Sequence, residues 1–211
     1  LRTPVVVLSA KERGMTTQVV DDEALAPPTV VERHRFVGHA DFQTYGFAAP
    51  EEVPAFAAVG DDVKVTVTGS AHDQQGRLRK NTPEVIEVLQ HLERKIAAHA
   101  EEMELVRADL DPGAPSLVIS YGITARAARQ AVAALRREGV RVSFLQPQTL
   151  FPIPRHALDW ALAGVRTVFV AEENLTGQYR AVLAPCLGGK RVVGINQIGR
   201  LITPTEIAAT V

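Results

Sequence analysis

The chain has 211 residues, 46% of them hydrophobic, and is long enough to bury at least one full core. Its 23 lysines and arginines nearly balance 24 aspartates and glutamates, and the formal net charge of -1 creates no strong field that favours nucleic acid or an anionic membrane. The apolar runs are far shorter than the roughly 20 residues that span a bilayer. We therefore expect a soluble globular protein that binds neither nucleic acid nor membrane.

The chain starts within the apolar pattern of a buried strand at residues 1–9, with neither an initiator methionine nor a signal peptide before it. This start resembles a chain that has been cut inside a domain. Residues 21–83 are rich in proline, glycine and charge, which is typical of a long connector. Within them, residues 63–69 alternate apolar and polar positions and predict a short strand.

Residues 82–106 have the apolar spacing of one amphipathic helix, with Thr82 as its cap and Pro83 at its first position. Further along, a strand is predicted at residues 116–122, followed by a helix that begins with Thr124 as N-cap and stops at Gly139.

The same unit then repeats, with strands predicted at residues 140–147, 166–174 and 191–199, each followed by a helical segment. The last helix is expected to begin near Pro204. Strands that alternate with helices indicate an open, mainly parallel sheet with helices on both faces. Residues 112–211 are therefore predicted to form one α/β domain, and residues 21–111 the connector before it.

Cys186 is the only cysteine, whereas an iron–sulfur cluster or a structural zinc site generally needs about four ligands. The chain is therefore not expected to hold either group alone, and Cys186 is interpreted as a buried apolar residue. A single cysteine also excludes an internal disulfide, which fits a reducing cytoplasm.

Polar residues follow the apolar part of the strand that is predicted to begin at residue 166, at the place where α/β folds usually put ligand-binding groups. Neighbouring residues on a strand point to opposite faces, so Glu172 and Glu173 are not expected to converge on one substrate atom as acid and base. We predict no catalytic residue here, and instead an interface or helix-capping role for this segment, with Asn174 as the cap. Its candidate residues are Glu172, Glu173, Asn174, Gly177 and Gln178.

Two prolines, Pro152 and Pro154, fix the backbone φ angle without offering a titratable group, so their predicted role is architectural. In the connector, His72 and Asp73 could in principle ligate a metal, but the other histidines lack ligand spacing, so no metal site is predicted. A turn in which Asp73 binds nearby backbone before Gly76 accounts for this loop.

Six stretches together resemble the C-terminal part of the α-subunits of 2-oxoacid:ferredoxin oxidoreductases, and the loop with His72, Asp73 and Gly76 resembles the 2-oxoglutarate branch. The resemblance lies in the order and spacing of these stretches and covers essentially the whole chain. The stretches are residues 4–15, 67–78, 120–132, 145–154, 170–178 and 199–207. Ala10 departs from the family pattern, because relatives often carry an acidic residue there.

The resemblance implies that residues 1–20 end a pyrimidine-binding thiamine domain and that the last domain is similar to the C-terminal domain of transketolases. It also implies that thiamine diphosphate and Mg²⁺ lie mainly outside this chain, and that an iron–sulfur cluster lies on a partner or another domain. The implied partners are a β-subunit, in a dimer of heterodimers, and ferredoxin. The implied substrates are CoA and a 2-oxoacid.

Two functions remain open from the sequence. The first is part of an enzyme that decarboxylates a 2-oxoacid oxidatively to an acyl-CoA and reduces ferredoxin, in which this segment supplies scaffold and subunit contacts. The second is a non-redox transketolase-like or E1-like domain with an interaction or regulatory role. The fold alone does not separate them.

Overall fold

The computed structural model describes residues 1–17, 19–39 and 41–211. The chain divides into two compact units, one of Leu1–Val6 and Thr17–His99 and one of Val7–Thr16 and Ala100–Val211. Among the described residues, no helix combines the length and apolar character needed to cross a membrane. In chain order the elements are α1 (Lys11–Met15), α2 (Pro83–Ala98), β1 (Val106–Asp109), β2 (Ser116–Ser120), α3 (Thr124–Arg137), β3 (Val142–Pro147), α4 (Arg155–Ala161), β4 (Thr167–Glu172), α5 (Gln178–Leu183), β5 (Arg191–Asn196) and α6 (Pro204–Thr210).

The second unit is built on a five-stranded sheet in the order β1-β3-β2-β4-β5. Strands β3, β2, β4 and β5 are parallel to one another, and only β1 pairs with its neighbour β3 in the antiparallel sense. The central strands are buried almost throughout, because helices cover both faces. The predicted open, mainly parallel α/β sheet is confirmed.

Alternation along the strands divides the interior into two apolar layers. Val118 lies in one layer with residues of α3 and α6, including Ala128 and Ile207. Leu117 lies in the other layer with residues of α4 and α5, including Leu158. Complete burial of one such side chain contributes about 1.5–3 kcal/mol to the stability of the folded state, so these two layers stabilise the unit.

The sheet begins earlier in the chain than the predicted domain boundary at residue 112. The predicted helix over residues 82–106 is wrong beyond Ala98, because a single 3₁₀ turn at Glu101–Met103 separates α2 from β1. Strand β1 lies at an edge with three of its four side chains exposed, so its sequence carries no buried apolar pattern.

Two strands that the sequence predicts are absent from the described residues. Residues 4–8 have no regular structure, and Val5, Val7 and Leu8 are each more than 70% exposed. Residues 63–69 also form no strand. A local apolar pattern is insufficient in both cases, since a strand needs a neighbouring backbone to satisfy its N–H and C=O groups.

The ends of α3 differ in how well the sequence predicts them. Thr124 is the first helical residue and not the N-cap, a position that Ile123 occupies without a side-chain hydrogen bond. Gly139 follows the C-cap with a φ of +84°, and the Val140 N–H bonds back to the Leu135 carbonyl. The predicted glycine stop is confirmed, because only a residue tolerant of positive φ closes the helix in this way.

The first unit has little regular structure apart from α2, and its interior is unusually polar. Its buried residues, among those the structure describes, are Thr44, Pro54, Ala57, Asp73, Gly76, Val85, Val88, His91 and Lys95.

Candidate functional site

The β4–α5 turn, residues 172–178, contains a carboxylate that is almost completely buried. Glu172 ends β4 and is 1% exposed. Its Oε2 accepts a hydrogen bond from the Tyr179 N–H at 2.9 Å, and its Oε1 accepts one from the Arg180 N–H at 3.0 Å. These donors belong to the first turn of α5, where the N–H groups have no partner within the helix. Glu172 therefore caps α5 from the end of the preceding strand.

Asn174 completes the N-terminal capping of α5. Its Nδ2 donates to Glu172 Oε2 at 2.6 Å, and its Oδ1 accepts from the N–H groups of Gly177 and Gln178 at 2.7 and 3.1 Å. Together Glu172 and Asn174 satisfy four consecutive backbone donors. The N-cap position itself belongs to Gly177, which has no side chain to cap with.

Glu173 points to the opposite face of the sheet, as strand alternation predicts. Its Oε1 accepts from Thr124 Oγ1 at 3.0 Å and from the Ile202 N–H at 3.3 Å, which ties β4 to the start of α3 and the segment before α6. The two neighbouring carboxylates share no partner in these bonds. This arrangement offers no converging acid and base pair.

The Arg180 side chain lies against two glycines, and neither Arg180 nor Gly194 was singled out from the sequence. A Cβ at Gly177 would come within 2.7 Å of Arg180 Nη2, and one at Gly194 within 2.6 Å of Arg180 Cζ. Gly177 also has a φ of +74°. A glycine inside a strand indicates a close approach, so Gly194 carried a usable signal.

Two tyrosines stand beside the buried carboxylate. Tyr121 OH donates to Glu172 Oε2 at 3.4 Å, and the rings of Tyr121 and Tyr179 meet edge to face at 5.2 Å. Burial raises the pKa of Tyr121, and the Glu172 charge raises it further. Burial likewise raises the pKa of Tyr179 to about 12, with Tyr121 and Cys186 adding to the effect. Both phenols therefore remain protonated at neutral pH.

The proline turn lies directly before α4. Pro154 is buried and is the N-cap residue of α4, while the half-buried Pro152 follows a cis peptide bond with Phe151. Gln178, the last of the candidate residues in this unit, is exposed.

The loop at residues 72–76, in the first unit, forms the predicted turn. Asp73 Oδ1 accepts from the Arg77 N–H at 2.9 Å, and Asp73 Oδ2 pairs with Arg79 Nε at 3.2 Å. Gly76 has a φ of +80°, and a Cβ there would overlap the Thr66 carbonyl. His72 stacks on Tyr45 with ring centroids 4.1 Å apart. Across residues 1–17, 19–39 and 41–211, no three potential ligands cluster as a metal site would require.

Comparison with known proteins relates the chain to one group of enzymes. The family described as pyruvate:ferredoxin oxidoreductase core domain II matches residues 114–207. The 2-oxoglutarate synthase subunit KorA of Methanothermobacter thermautotrophicus is 33% identical over 164 residues, which are 76% of this chain and 44% of the relative. The 2-oxoacid:ferredoxin oxidoreductase 2 subunit alpha of Aeropyrum pernix is 29% identical over 100% of this chain and 34% of its own length.

A solved structure shares the fold. The 2-oxoglutarate:ferredoxin oxidoreductase of Magnetococcus marinus, determined with 2-oxoglutarate, coenzyme A and succinyl-CoA bound, aligns with a TM-score of 0.74 and 21% identity. The alignment covers 86% of this chain and 32% of that one. The chain thus spans less than half the length of these relatives.

Proposed function

Because residues 114–207 carry core domain II and the chain is homologous to subunits of 2-oxoacid:ferredoxin oxidoreductases, we propose that it is part of the α-subunit of such an enzyme. The complete enzyme would decarboxylate a 2-oxoacid, pass two electrons to ferredoxin and transfer the acyl group to CoA. The similarity to a 2-oxoglutarate synthase subunit over 76% of the chain carries this proposal, and it favours 2-oxoglutarate as the substrate.

The cofactors follow from the same proposal. Thiamine diphosphate with Mg²⁺ would supply the carbanion chemistry, mainly outside this chain, and an iron–sulfur cluster on a partner or another domain would carry the electrons. One cysteine in 211 residues does not provide the four thiolates that such a cluster generally uses. The proposed partners are a β-subunit, in a dimer of heterodimers, and ferredoxin, in the cytoplasm.

This segment would provide scaffold and subunit contacts. In the β4–α5 turn the buried Glu172 and the partly exposed Asn174 fix the backbone, while Leu175 at the tip is 71% exposed. An exposed apolar side chain on a rigid turn is suited to a protein interface. The side chains of Glu172, Glu173 and Asn174 accept hydrogen bonds from backbone N–H groups, which supports a structural role over proton transfer.

Co-purification with an adjacent β-subunit tests the proposal. The complete α-subunit, co-expressed with that partner, is expected to give a brown complex that reduces ferredoxin when supplied with CoA and 2-oxoglutarate. Pyruvate and a branched-chain 2-oxoacid serve as comparison substrates, and omission of CoA is the control. A colourless complex that lacks activity on all three oxoacids would overturn the assignment, whereas preference for another oxoacid would correct only the substrate.

A further inference from the structure

A small cavity in the first unit is lined by three basic side chains. It has a volume of ≈60 Å³, and Arg2, His91 and Lys95 contribute to its wall together with Tyr45, Pro54, Val88 and Leu92. His91 and Lys95 lie on α2 and are each only 3% exposed. No carboxylate lines the cavity, although buried charges in proteins are normally paired.

The polar atoms of these side chains are incompletely satisfied. Neither ring nitrogen of His91 makes a hydrogen bond of normal geometry within the described part of the chain, although the ring stacks on Phe47 at 3.7 Å. Among the described residues, no carboxylate is one of the groups that shift the pKa of Lys95. Arg2 uses Nη1 for the carbonyls of Thr44, Pro54 and Ala55, which leaves Nε and Nη2 for another acceptor.

The positive charge of one basic group also makes protonation of its neighbour less favourable. Burial lowers the pKa of Lys95, and the Arg2 charge lowers it further. Burial and then the Lys95 charge lower the pKa of His91, while the Pro50 carbonyl and Glu52 act in the opposite sense. An anion bound between these groups would replace the repulsion among the cations with attraction. It would also offset part of the free-energy cost of burying their charges.

The surrounding structure fixes the cavity wall. Arg2 has a φ of +50°, a backbone conformation that costs free energy in a non-glycine residue and is maintained here by its three carbonyl contacts. Tyr45 is fixed from behind by its stacking on His72, and Gly76 allows that approach, since a Cβ there would come within 3.2 Å of Tyr45 Cε2. The loop at residues 72–76 thus supports the wall of the cavity.

From this geometry we propose that the cavity formed by Arg2, His91 and Lys95 binds a phosphate-class anion, either free phosphate or the terminal phosphoryl group of a ligand. Lysine and arginine together donate to a tetrahedral oxyanion from several directions, and the buried position strengthens each charge-assisted bond. The volume exceeds that needed for a single water. The site goes beyond the function proposed above and does not depend on it.

Binding of inorganic phosphate to the 211-residue chain tests the proposal. Titration at constant ionic strength, followed by ³¹P NMR and by the melting temperature, is expected to show saturable binding that chloride does not reproduce. The Lys95→Met variant keeps the length of the side chain without its charge, and should bind at least about tenfold more weakly. Lys64→Met, which changes an exposed lysine outside the cavity, should bind as the unaltered chain does.

Two further measurements keep the result interpretable. His91→Phe preserves a ring that can stack on Phe47 and should also weaken phosphate binding, so it replaces Lys95→Met if that variant fails to fold. Ethyl phosphate, compared with inorganic phosphate, distinguishes a ligand's phosphoryl group from the free ion. Absence of saturable binding for both, or equal binding by the unaltered chain and the cavity variants, would overturn the proposal.

Discussion

Glu172 is the residue whose environment is easiest to mistake for a catalytic one, because it is a fully buried carboxylate at the carboxyl end of a parallel strand. Its oxygens accept two backbone N–H groups and the Asn174 amide. The buried negative charge is therefore balanced by the donors at the start of α5, as the helix dipole favours. Substitution at this position should affect folding.

We expect Glu172→Gln to lower the free energy of unfolding by about 1.5–3 kcal/mol, since hydrogen bonds to a charged group are lost and a buried N–H faces the new amide. Chemical denaturation, monitored through the single tryptophan, Trp160, measures the change. Glu138→Gln alters an exposed glutamate after α3 and should remain within about 0.5 kcal/mol of the unaltered chain. Equal stability of the two variants would contradict the capping role.

At the scale of elements, helix α6 shows how a short segment is held by a charged cap. Thr203 and Glu206 form a capping box, and Arg200 Nη2 pairs with Glu206 Oε1 at 2.5 Å. The Arg200 side chain, followed by the Thr203 backbone, lowers the pKa of Glu206 from 4.5 to about 2. Because the folded pKa is depressed, the contribution of Glu206 to stability is present above pH 4.5 and is lost as the pH falls towards 2.

The melting temperature of the unaltered chain should therefore exceed that of Glu206→Gln at pH 5, and the two values should converge between about pH 4.5 and 2. Glutamine can still complete a capping box, so the comparison isolates the charge. Melting curves across this range provide the measurement. A difference that stays constant from pH 5 to pH 2 would contradict the assigned ionisation.

The sequence correctly predicted the elements whose apolar residues in the sequence are also the buried residues in the fold. Strands β2 and β4 are apolar runs buried on both faces, and Gly139 ends α3 where its φ requires glycine. The edge strand β1 was missed because three of its four side chains face solvent. Residues 63–69 have a strand pattern but form no strand, since pairing depends on distant backbone that no local window contains.

The candidate sites, too, were predicted only where the interacting residues are close in the sequence. Asn174 and the Asp73 turn are recognisable because their partners are a few residues away in the chain. Lys95 is one position of an amphipathic helix, and its neighbour in the cavity, Arg2, lies 93 positions earlier. Only the folded chain brings these two cations to the same cavity.

At the scale of the whole molecule, the two units differ in how strongly they are held. The second unit has two apolar layers around a sheet, whereas buried polar groups make up much of the interior of the first. Residues 19–35 are exposed throughout and contain one short 3₁₀ turn. Segments with few buried apolar contacts open at low free energy, so these residues should be the first to become accessible to a protease.

Limited digestion with a glutamate-specific protease should therefore cut after Glu23 and Glu32 well before Glu138 or Glu173. Glu138 is the internal control, because it is exposed yet follows directly on α3, so its rate of cleavage reports local opening and not simple surface access. Mass spectrometry of timed samples identifies the order of cleavage, and digestion in urea should remove the difference between sites. Cleavage after Glu138 as fast as after Glu32 under native conditions would contradict the difference in stability, because α3 would then have to open as readily as an exposed segment with almost no regular structure.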